Sequence, residues 1–66
     1  MYAAALLAFR NDHVYCTIVS IDTEDETRAK ILAMQELLRR CPREEWTGHK
    51  AQLLQIRRKP IAFSEN

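Results

Sequence analysis

Asp12, His13 and Cys16 offer a carboxylate, a base and a thiol within five positions, the ingredients of nucleophilic catalysis. That chemistry needs the base beside the thiol, with a third group orienting the base. His13 and Cys16 stand an odd number of positions apart in a β-prone run, where alternate residues point to opposite faces. The spacing separates base from thiol, and the chain is read as non-enzymatic. Cys41 is the only other cysteine, and neither thiol has Cys-x-x-Cys or Cys/His spacing. Both are therefore expected to be buried and reduced, with no metal and no cofactor.

Two charged groups could instead bind a partner. Asp22, Glu24, Asp25 and Glu26 form an acidic cluster, and Arg39, Arg40, Arg43, Arg57, Arg58 and Lys59 supply the opposing basic group. Residues 1–33 hold three basic against five acidic side chains, and residues 34–66 hold seven against four. The charge is segregated, but the total is only +1, and nucleic-acid modules usually carry a clearer basic excess. Trp46 and Phe63 lie outside the basic runs, so aromatic residues do not alternate with cations as single-strand binding requires. A nucleic-acid regulator using the Arg57, Arg58 and Lys59 end thus ranks below a protein partner. Trp46 itself reads either as a lid over the core or as an exposed anchor, because Trp and Arg are favoured in binding hot spots.

The elements that position these residues follow from local pattern. Residues 2–10 (YAAALLAFR) and 13–21 (HVYCTIVSI) read as two strands joined at Asn11-Asp12. A two-residue turn pairs Arg10 with His13 and sets the register. Thr23 and Glu26 have capping-box spacing, acids crowd the helix start, and Arg39 and Arg40 complement its end. A helix over 23–41 follows, with Ile31, Met34, Leu38 and Cys41 as its seam, widened by Ala33 and Leu37; Pro42 stops it. A loop holding the one glycine and His49 leads to a third strand over 50–58, and 60–66 is read as a tail.

The order ββαβ predicts a single α+β domain. A right-handed crossover lays the third strand parallel to the second, and the first strand fills the gap. The result is a three-stranded antiparallel sheet, order 2-1-3, with the helix on one face. On one side of the hairpin Phe9 faces Val14, Leu7 faces Cys16 and Ala5 faces Ile18; this side is expected to meet the helix. The other side carries Tyr2, Leu6, Tyr15, Val19 and Ile21, and is expected to remain an open interface, since monomers rarely leave a large apolar patch in water.

The alanine-rich strand, a short turn, the β-branched strand, the acidic helix start DTEDET, the helix RAKILAMQELLRRC, a Trp-Gly loop and the last strand QLLQI together cover nearly the whole chain. In this layout the chain resembles small ββαβ accessory proteins of phages and mobile elements, anti-CRISPR proteins among them. The resemblance is architectural and transfers no site residues. It implies an inhibitor that sterically blocks a bacterial host complex, in the host cytoplasm. A homodimeric assembly module is the third reading. The apolar run at 2–9 is too short to span a bilayer and has no basic flank, so no membrane role is expected.

Overall fold

A computed structural model describes residues 1–54 and 61–65. Strands β1 (Tyr2–Arg10) and β2 (His13–Ile21) form a hairpin, followed by helix α1 (Glu26–Arg40), β3 (Gly48–Leu54) and β4 (Ile61–Glu65). The sheet order is β2-β1-β3-β4, antiparallel throughout. The 2-1-3 order and the single helix expected from the pattern are present, and the hairpin register is the expected one, Arg10 opposite His13 through Tyr2 opposite Ile21. Asn11 takes a φ of 52° in the turn, a left-handed conformation that asparagine tolerates better than most residues.

Four boundaries differ from the sequence expectation. The helix begins at Glu26, not at 23, because Asp25 caps it: Asp25 Oδ1 accepts from Thr27 N at 3.0 Å and Arg28 N at 3.4 Å. Thr23 Oγ1 accepts from Asp25 N instead, and Glu26 pairs with Lys30, so the capping box does not form. At the other end the helix closes at Arg40, with Cys41 as cap donating its N–H to the Leu37 carbonyl. The third strand starts at Gly48, two residues early; the expected continuation over 55–58 lies outside the described residues. Part of the expected tail is strand β4, paired along β3. β4 pairs with the backbone donors and acceptors that β3 turns away from β1.

The core lies on the opposite sheet face from the expected one. Tyr2, Ala4, Leu6 and Ala8 of β1, Ile21 of β2, and Ala51 and Leu53 of β3 are buried against Ala29, Ala33 and Leu37 of α1. The helix seam is accordingly rotated: Ala29, Ala33 and Leu37 at i, i+4, i+8 face the sheet, while Ile31 is 53% exposed. Alanine on helix and strands together permits a close approach, and Leu32 and Met34 pack along the flanks. The larger Ile31 side chain offers no such fit. The helix lies mainly over β1 and β3 and less over β2.

Candidate functional site

The first consequence of that packing concerns the face expected to stay open. Tyr2, Leu6 and Ile21 are buried beneath the helix, and Tyr15 and Val19 are half-buried against the same core. These five residues are core, not interface. Along the hairpin, hydrophobic pattern could not choose between the two faces because both are apolar; the hand of the β2–α1–β3 crossover makes the choice.

The open face is the one first assigned to the core. Pairing places Val14 beside Phe9, Cys16 beside Leu7 and Ile18 beside Ala5, continuing on β3 through Lys50 and Gln52. Val14 is 62% exposed, Ile18 67% and Phe9 38%. Cys16 is exposed at the middle of β2, contrary to the expectation of two buried thiols. Only Cys41 is buried, and burial raises its thiol pKa. A run of apolar side chains thus crosses two strands in contact with water, with Lys50 as the charged residue beside it.

The charged groups named from the sequence do not converge. The acidic residues sit at the helix start and Arg39 and Arg40 at its end, about 20 Å apart for a helix of this length. Most of them are occupied locally. Asp25 caps the helix, Glu24 meets the Met1 amino group, and Glu26 reaches Lys30 at 3.5 Å; Asp22 is exposed. Arg39 and Arg40 both grip Glu36, with Arg40 Nε at 2.6 Å. The hydrogen bond from Arg39, then that from Arg40, holds the Glu36 carboxyl down at about 2. Both guanidinium pKa values rise in return: Arg39 through Glu36, and Arg40 through Tyr15 first and Glu36 second. Arg43 is exposed in the turn after Pro42. Arg57, Arg58 and Lys59 lie outside the described residues.

Trp46 answers to the lid description. It is half-buried and packs against the core, meeting the Tyr15 ring edge-on at 6.3 Å between centroids. Arg10 stacks over it at 5.8 Å, and Arg40 donates to the Tyr15 hydroxyl at 3.0 Å. Aromatic and arginine side chains from the hairpin, helix and following turn therefore close one end of the core together.

Sequence reasoning missed His49, which lies in β3 rather than a loop and is fully buried. Its Nε2 is 2.7 Å from the Cys41 carbonyl. A carbonyl can only accept, so Nε2 carries a proton and ties the chain after the helix to β3. The signal available was its alternation with Ala51 and Leu53. Among the described residues no group of three or more His, Cys, Asp or Glu side chains is placed to hold a metal ion. Among them, too, no helix is long and apolar enough to cross a membrane. No protein-family model, curated protein or solved structure matches the chain.

Proposed function

We propose that this chain is a non-enzymatic protein-binding module whose docking surface is the open sheet face of Phe9, Val14, Cys16 and Ile18. The observation that carries the reading is the exposure of Val14 at 62% and Ile18 at 67% on one contiguous apolar face. Apolar side chains in such numbers stay in water at a cost unless a partner covers them. The charged groups are less suited to the task, because Asp25, Glu26, Arg39 and Arg40 already serve the helix. The finer reading, an inhibitor of the phage or mobile-element class that occupies a bacterial host complex, rests on the ββαβ resemblance and on a size that leaves room for occlusion but little for catalysis.

The test is expression in a bacterium with an active CRISPR defence, alongside binding to the purified effector complex. The expected result is recovered phage plating and a stoichiometric complex, both abolished by Val14→Lys with Ile18→Lys. Unchanged plating would remove the inhibitor reading. A host complex bound equally well by the double variant would remove the docking face. Submicromolar DNA binding with a steep salt slope would move the function to nucleic acid.

A further inference from the structure

The two edges of the sheet are built differently. β4 is five residues long, ends in Glu65 and follows Pro60 in the sequence. β2 is nine residues long, pairs with β1 without a bulge, and contains neither proline, glycine, lysine nor a carboxylate. Edges are usually blunted by shortness, lysine, proline or a bulge. β2 has none of these.

Its outward backbone groups can be assigned. Arg10 and His13 close a two-residue loop, and such a closing pair exchanges hydrogen bonds, with every second pair following suit. Odd positions of β2 therefore bond to β1, and Val14, Cys16, Ile18 and Ser20 turn N–H and C=O away from the sheet. The Phe9 carbonyl agrees: it accepts from Thr47 N at 2.8 Å, toward the β3 side, so its partner Val14 does not bond to it.

We propose that this edge pairs antiparallel with the same edge of a second copy of the chain, about a two-fold axis at Cys16. Outward positions must face outward positions, which leaves few registers; an axis at Tyr15 or earlier pairs five strand residues or fewer, and charge selects among the rest. An axis at Thr17 sets Asp12 against Asp22 of the second copy, and an axis at Ile18 sets Asp12 against Glu24. Like charges directly opposite are unfavourable. An axis at Cys16 places Asp12 opposite Ser20, Val14 opposite Ile18 and Tyr15 opposite Thr17. The two exposed large apolar side chains of β2 then cover one another. Because α1 lies mainly over β1 and β3, the helix leaves this edge accessible. The seam is about 23 Å long for seven paired residues, short of a standard interface, so the dimer is a reversible, micromolar one. The axis stands normal to the sheet, and the open faces of both copies become one surface.

The test combines light scattering with amide exchange by NMR, on the full chain, from low micromolar to near-millimolar concentration. A monomer–dimer equilibrium is expected, with protection of the Val14, Cys16 and Ile18 amides rising about tenfold or more as dimer forms. Mild oxidation is expected to link the dimer through Cys16, since directly opposed strand residues lie within disulfide reach, and Cys16→Ser is expected to abolish the link. Ile18→Pro removes an outward donor that the hairpin does not use and is expected to leave a monomer; Ile18→Lys gives the same outcome should the proline variant not fold. A monomer at every concentration overturns the proposal. So does a dimer that survives both variants, or one in which those three amides exchange as fast as in the monomer, which means stacking through the open face. The proposal is independent of the host-partner reading: a dimer that fails to bind the host complex refutes only the latter.

Discussion

The two faces of the hairpin are both apolar and meet opposite fates. On the covered face, small residues alternate with large ones: Ala4, Leu6, Ala8 and Ala51 meet Ala29, Ala33 and Leu37 with no residual exposure. On the open face, Phe9, Val14 and Ile18 project into water from neighbouring strands. Both faces are hydrophobic, so the difference is one of shape. A helix settles closely on a surface lined with methyl groups, whereas the bulkier side chains of the open face offer it no such fit. What distinguishes core from open face on the hairpin is the hand of the crossover together with steric relief, not hydrophobicity.

That contrast can be broken most forcefully at Leu37, which is fully buried between helix and sheet. Leu37→Ala is expected to cost about 2–5 kcal/mol by chemical denaturation, enough to unfold much of a domain of this size. Loss below 1 kcal/mol would mean the interior is loosely packed. Next in size is Ala33→Leu, which tests the close approach itself: overpacking is expected to cost about 1–3 kcal/mol. If the helix simply shifted outward at no cost, the alanine argument would fail.

A smaller, pH-dependent effect is expected at the Arg39–Glu36–Arg40 clamp. The Glu36 pKa is depressed in the folded chain, so its contribution is present above the ordinary carboxylate range near 4.5 and lost as pH falls toward about 2. Thermal melts of wild type and Glu36→Gln should therefore differ at neutral pH and converge in acid. Parallel curves would show that the clamp contributes nothing. The pair is partly solvated, and salt should weaken it. Smallest of all is Ile18→Lys at monomeric concentration, expected to change unfolding free energy by less than about 0.5 kcal/mol. A large loss there would place Ile18 in the core and reverse the assignment of the faces.

Much of the architecture was legible locally. The Asn11-Asp12 turn determined the hairpin register, because a two-residue loop admits one closing pair. Pro42 determined the helix end, since proline restricts the residue before it. The helix start was misread by two to three residues because Thr23, Asp25 and Glu26 can all cap, and only the path of the chain from Ile21 selects Asp25. β4 escaped notice because Pro60 and a polar end obscure a strand whose reason for existing is the open edge of β3. The candidate site was legible as a kind of surface but assigned to the wrong side, and Cys16 and His49 were misplaced with it.

The chain's own chemistry determined what local rules can reach: the ββαβ order of the first four elements, the register of the hairpin, the separation of His13 from Cys16, and the surplus of apolar surface that one helix cannot cover. The tertiary structure alone decided which face that helix covers. Alternation specifies two faces but not which is inside, and periodicity specifies a helix but not its rotation. Both are resolved only when alanine meets alanine across the crossover, leaving Val14, Cys16 and Ile18 outside.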